Sequence, residues 1–162
     1  MINILNQMKE SAELTAAMLD ICEEDDCGVY ISNLKPHVIL NGENLVTDSV
    51  NICSRLVFVT NSRILSCIIE LKNDTKNYPG IIDKMNNSKE RAITLLHTFE
   101  VTTDQIKFLY LVITKEYPRK FITEHIKKCC KDNNIEVYFS ASGKDLAEII
   151  DSIYDDNSWK RV

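Results

Sequence analysis

The stretch that decides the fold is Ser54–Lys72, SRLVFVTNSRILSCIIELK. Val57-Phe58-Val59 and Ile64-Leu65-Ser66-Cys67-Ile68-Ile69 are too short and too β-branched to favour helices, so they read as strands. Asn61-Ser62-Arg63 supplies a tight polar connection between them. Successive strand side chains point to opposite faces, which puts Glu70 and Lys72 on one face and Leu71 on the other. A carboxylate and an ammonium side by side at the end of a hydrophobic strand are poor core residues but suit phosphoryl chemistry. The plainer alternative is a solvated strand end with an ion pair worth roughly 0–1 kcal/mol.

Working outward, a break at Asn73–Gly80 leads to a helix over Ile81–Phe99, where Ile81, Ile82, Met85, Ala92, Ile93, Leu96 and Phe99 recur at helical spacing. Ile106–Thr114, IKFLYLVIT, is continuous enough to be a strand buried on both faces. A helix over Arg119–Asp132, a strand at Ile135–Phe139 and a last amphipathic helix opened by Ser142-Gly143 follow, the last placing Leu146, Ile149, Ile150 and Ile153 on one side. Upstream, Leu14, Met18, Ile21 and Cys22 predict a helix over Lys9–Glu24 with Ser11 as N-cap. Short strands are expected at Val29–Ser32, His37–Leu40 and Leu45–Val46, with turns at Lys35-Pro36 and Asn41-Gly42. The expected class is α/β, one domain over residues 1–162, with a frayed polar tail at Asp155–Val162.

This order of elements, with Glu70-Leu71-Lys72 closing a core strand, resembles the PD-(D/E)xK nuclease superfamily, the restriction-endonuclease-like fold. The resemblance covers about Leu14–Phe139 and is more specific in topology than in motif. It implies a central mixed β-sheet flanked by helices. It also implies that Glu70 holds a Mg²⁺ or Mn²⁺ ion and that Lys72 positions the attacking water. The family's first acid belongs where this chain has Ser54, and the nearest upstream acid is Asp48, six residues early. Either Asp48 supplies the second metal ligand or the site is incomplete. Two carboxylates can hold a hard cation against a phosphodiester, and Mg²⁺ sites rely on few protein ligands, so one missing acid matters. Acid-x-Lys also occurs at Asp74-Thr75-Lys76, so chance can produce the triplet. Members of the family also place an acid on the first helix, for which Glu10 or Glu13 is available. Many carry a Gln or Lys on the helix after the triplet, for which Lys84 and Lys89 are available, although solvation is the commoner role for all four.

Composition restricts the remaining classes. The 162 residues carry a net charge of −5, with a 44% hydrophobic and a 27% charged share. An acidic chain lacks the basic footprint of tight, non-specific nucleic-acid binding, but it can hold a local basic patch. Lys115, Arg119, Lys120, Lys127, Lys128 and Lys131 form such a cluster, and Arg119, Lys120 and Lys127 are the candidate nucleic-acid contacts. The competing reading is the solvated face of a helix. No apolar run approaches a membrane span and the N-terminus has no secretory pattern, so a cytoplasmic location is expected. The six cysteines, at 22, 27, 53, 67, 129 and 130, contain no CxxC pair and are expected to be free thiols. With 4 glycines and no GxGxxG or P-loop, a classical nucleotide cradle is not expected, and the scattered His37, His97 and His125 do not suggest a metal site or a triad.

Three functions stay open: a metal-dependent nuclease, a catalytically degenerate relative binding nucleic acid or protein, and an unrelated α/β interaction domain. Dimers are frequent in the family, so a homodimer is a further expectation of the resemblance.

Overall fold

The alternating pattern of Ser54–Lys72 builds the middle of a sheet. In the computed structural model, which describes residues 2–32, 34, 36–45, 50–60, 63–72 and 80–154, the chain begins with α1 (Ile2–Glu10). Four strands follow: β1 (Met18–Leu19), β2 (Cys22–Glu24), β3 (Cys27–Val29) and β4 (His37–Asn41). The central hairpin is β5 (Arg55–Thr60) and β6 (Ile64–Lys72). Then come α2 (Ile81–His97), β7 (Ile106–Thr114), α3 (Lys120–Lys131), β8 (Val137–Ala141) and α4 (Leu146–Ile153).

Six strands form one mixed sheet in the order β1-β4-β5-β6-β7-β8. The β1–β4, β4–β5 and β5–β6 pairs are antiparallel, whereas β6–β7 and β7–β8 are parallel. The parallel pairs are joined through α2 and α3, as parallel strands require a crossover. Strand alternation divides the core into two layers. On one face Leu56, Phe58, Ile64, Ile68, Tyr110 and Val112 pack with α1, α2 and α3. On the other, Val57, Val59, Leu65, Cys67, Ile69 and Leu111 pack with α4 and the β2–β3 hairpin. Both faces of β6 and β7 are thus covered, which is why their sequences read as nearly unbroken apolar runs.

The expected mixed sheet with flanking helices is present. The central hairpin, β7, α2 and α3 fall within about two residues of the sequence reading, whereas α4 starts at Leu146, three residues past Gly143, with Asp145 as its N-cap. The expected helix over Lys9–Glu24 is corrected. The helix is earlier, at Ile2–Glu10, and residues 12–17 turn through short-range bonds such as Leu14 N to Ser11 O and Ala17 N to Leu14 O. Cys22–Glu24 instead pairs with Cys27–Val29 around Asp25-Asp26, whose φ values of 49° and 60° make a two-residue hairpin turn. Gly28 is required there, because a Cβ would lie 2.3 Å from the Cys22 carbonyl oxygen. Leu14 and Cys22 are buried as the helical reading demanded, but from loop and strand, while Met18 is half-buried and Ile21 is exposed.

Two strand expectations also shift. Val29–Ser32 ends as a strand at Val29, because the Tyr30 amide and carbonyl turn to Lys144 and Leu146 beside α4. Leu45 ends a 3₁₀ turn, Glu43–Leu45, instead of starting a strand, since its amide closes back onto Gly42. Val46, Asp48, the Asn61-Ser62 turn, Asp74-Thr75-Lys76 and the Asp155–Val162 tail lie outside the described residues. Among those described, no helix is long and apolar enough to cross a membrane.

Candidate functional site

β6 delivers Glu70 to the carboxyl end of the parallel pair, on the face covered by α2. Its neighbours Ile64, Ser66 and Ile68 set the phase, and Glu70 emerges buried, with 2% of its surface exposed. A carboxylate in that position must find partners, since an unpaired buried charge is very costly. Glu70 finds three. The Lys84 ammonium, from the first turn of α2, donates to Oε1 at 2.6 Å. Lys72 Nζ lies 3.6 Å from the same oxygen. The backbone N–H of Ser54 donates to Oε2 at 3.2 Å.

The supports of this corner are equally local. The Ser54 hydroxyl accepts a long bond, 3.4 Å, from the Leu71 amide, so the residue at the family's first-acid position ties the two hairpin strands together. The Cys53 amide donates to Ser88 Oγ at 2.8 Å, and that hydroxyl donates to the Lys84 carbonyl at 2.6 Å. Asn87 Nδ2 donates to the Asn51 carbonyl at 3.0 Å. The chain entering β5 is therefore fastened to the turn of α2 that carries Lys84. Burial acts to lower the Lys84 pKa, but its hydrogen bond to Glu70 and the charges of Glu70 and Glu43 outweigh it and hold the group above the ordinary lysine value. Burial pushes the Cys53 thiol well above its usual range, reinforced by the Glu70 charge, so Cys53 is not a nucleophile.

A divalent cation fits this corner poorly. It needs free carboxylate oxygens, whereas Glu70 Oε1 already faces two ammonium groups and Oε2 holds an amide. Among the described residues, no three of His, Cys, Asp or Glu gather into a cluster. The arrangement suits an anion better. Two lysines flank the one buried carboxylate, and their side chains retain 31% (Lys84) and 22% (Lys72) exposure. The α2 N-terminus adds its own positive potential.

The sequence-derived candidates separate here. Glu70 and Lys72 come together, joined by Lys84, while Asp48 falls outside the described residues. Glu10 and Glu13 are exposed and make no described contact with the corner. Lys89 sits over the Phe108 ring at 5.6 Å. Arg119 caps the start of α3 and Lys120 pairs with Glu124 at 3.7 Å, an exposed bridge of small value. Lys127 lies 6.0 Å from the Phe139 ring centre and lines, with Lys131 and Tyr138, a separate 580 Å³ cleft beside β8. None of these three touches Glu70. Lys84 was legible only as the lysine in the first turn after the triplet strand. Ser88 and the Cys53 amide carried no sequence signal.

On the opposite face, at the same strand ends, a 370 Å³ cleft is lined by Glu23, Asp26, Gly28, Tyr30, Lys115 and Ser142. Ser142 Oγ donates to the Gly28 carbonyl and accepts from its amide, and Cys27 Sγ donates to the Lys72 and Ile113 carbonyls. Arg55 joins the β2–β3 hairpin to β5, donating to the Glu23 carbonyl and pairing with Glu24. These bonds knit the hairpin to the sheet and leave the Glu70 corner as the better candidate. Compared with known proteins, the chain matches no family model, no curated protein and no solved structure.

Proposed function

We propose that this chain is a restriction-endonuclease-like module that binds nucleic acid at the Glu70–Lys72–Lys84 corner without metal-dependent cleavage. The order of α1, the antiparallel β4–β5–β6 strands, α2 and a parallel β7, with Glu70-Leu71-Lys72 closing β6, supports that fold reading. The observation that carries the functional part is the state of Glu70: both oxygens are committed, one of them to two cations. Two partly exposed lysines at the carboxyl ends of parallel strands, where ligands of open α/β sheets commonly bind, favour a phosphate over a metal. Arg119 and Lys120 open α3, the helix that follows β7. Among the described residues, Glu23-Glu24-Asp25-Asp26 gathers acidic charge on the other face.

Fluorescence anisotropy with labelled single-stranded and duplex DNA and RNA, from low to physiological salt, tests this reading. Binding should weaken steadily with salt, and prolonged incubation with Mg²⁺ or Mn²⁺ should leave the strands intact. Absence of binding to every probe at low salt overturns it. A metal-dependent nuclease is the second reading, because the anchoring of Asn51 and Cys53 to α2 holds the segment just after Asp48 beside this corner. Mn²⁺-dependent cleavage abolished by Glu70→Gln would establish that alternative.

A further inference from the structure

We infer that the Lys84 ammonium takes the place of the divalent cation, so that this corner accepts a backbone phosphate of nucleic acid directly. The inference rests on the nucleic-acid reading above and adds the identity of the phosphate ligand. Lys84 Nζ lies 2.6 Å from Glu70 Oε1, a short charge-assisted hydrogen bond on the oxygen that a cation would need. An ion at that oxygen would meet both Lys84 and Lys72, so cation and ammonium compete for one position. The ammonium has three N–H donors, of which Glu70 takes one, and its side chain reaches solvent.

The position of Lys84 is also prepared before any ligand arrives. Glu70 holds the head of the side chain, while Ser88 Oγ bridges the Lys84 carbonyl to the Cys53 amide and fixes the backbone beneath it. A pre-organised donor spends less ordering entropy on binding than a free surface lysine. Glu70 is then a positioning residue: it aims Lys84 and does not touch the phosphate. Lys72, farther from Glu70 and partly exposed, supplies the second positive charge.

The test compares oligonucleotide affinity in EDTA and in Mg²⁺ for the intact chain, Lys84→Gln and Lys89→Gln. Native affinity in EDTA should be at least as high as in Mg²⁺, which only competes for the phosphates as a counterion. Lys84→Gln should weaken binding roughly tenfold at low salt and reduce the slope of log K against log salt by about one, the signature of one lost phosphate contact. Lys89→Gln, directed at Phe108, should leave the slope unchanged. Binding that disappears in EDTA overturns the inference while leaving nucleic acid as the ligand. An unchanged slope in Lys84→Gln overturns it as well.

A second measurement keeps the two claims apart. Mn²⁺ calorimetry on Ser54→Asp and on Ser54→Asp with Lys84→Ala, both checked for a native thermal transition, asks whether Lys84 blocks the cation. The double variant should bind Mn²⁺ at least tenfold more tightly than the single one. Equal affinities overturn the cation-substitute role whatever the oligonucleotides do. If the double variant gains Mn²⁺ but the native chain binds no oligonucleotide, Lys84 holds the cation position and only the nucleic-acid reading fails.

Discussion

Glu70 and Lys84 form one hydrogen-bonded pair, yet they should not be equally costly to remove. Glu70 has almost no access to water, whereas Lys84 is about one-third exposed and can turn outward. Removing Lys84 leaves a buried carboxylate with only the Lys72 ammonium at 3.6 Å and the Ser54 amide. Lys84→Met should therefore cost roughly 2–3 kcal/mol, below the range for breaking a fully buried pair because two partners remain. Glu70→Gln keeps the shape and one acceptor, and the released ammonium is solvated, so about 1 kcal/mol is expected. Urea denaturation of both variants checks the order, and equal losses would mean that Glu70 does not depend on Lys84. Ser66, one strand repeat from Ile68 on the same face, presents the opposite case. Its hydroxyl is fully buried and has no hydrogen-bond partner among the described residues. Ser66→Ala removes that desolvated group with little loss of volume, and it should raise stability by about 1 kcal/mol in the same assay.

At the level of elements, the helix ends carry a correctable strain. After α2, Glu100 adopts φ 61° while Val101 N bonds back to Leu96 O, so a left-handed residue closes the helix. Asn134, at φ 59°, performs the same task after α3, and asparagine tolerates that region. Glutamate does not. Glu100→Gly should stabilise the fold by about 0.5–1 kcal/mol, the left-handed penalty less the entropy that glycine adds to the unfolded chain, read as a rise in the thermal midpoint. The same local rules explain what could be read in advance. β5, β6 and β7 were legible because β-branched runs covered on both faces have no competing periodicity, and α2, α3 and α4 because their apolar stripes repeat over two or more turns. Residues 9–24 were not legible. Leu14, Met18 and Cys22 keep helical spacing by coincidence, and the hairpin that uses Cys22 depends on Gly28 and on two successive left-handed aspartates that no pattern announces. In the site, Glu70 and Lys72 followed from strand alternation within one segment. The Lys84 contact spans 14 residues and depends on where α2 docks, which is tertiary information.

Across the whole molecule, the two-layer core encloses thiols on both faces of the sheet, and that placement sets its response to alkali. All six cysteines are free, and five are buried. Burial pushes Cys22 up to about 12 and Cys130 up to about 11, and it raises Cys27, Cys53 and Cys67 above the ordinary thiol value of 9.0. Each is an acid that ionises more readily once the chain unfolds, so above pH 9 the unfolded state binds fewer protons than the native state. Stability must then fall as pH rises, by up to about 1.4 kcal/mol per pH unit for each such thiol, until its folded pKa is reached. Lys84 acts in the same direction but later. Its pKa is raised in the folded state, so its contribution is complete below about 10.5, the ordinary lysine value, and is lost as pH climbs through the folded value. Thermal midpoints should therefore be insensitive to the thiols at neutral pH and begin to drop near pH 9, before Lys84 titrates. Cys67→Ala and Cys53→Ala should each make that decline shallower while lowering the neutral-pH midpoint through lost packing. A decline that starts only above about pH 10, or one that these substitutions leave unaltered, would locate the alkaline sensitivity in Lys84 and in the phenols of Tyr110, Tyr138 and Tyr154, which burial raises to about 12, and not in the sulfur-lined core.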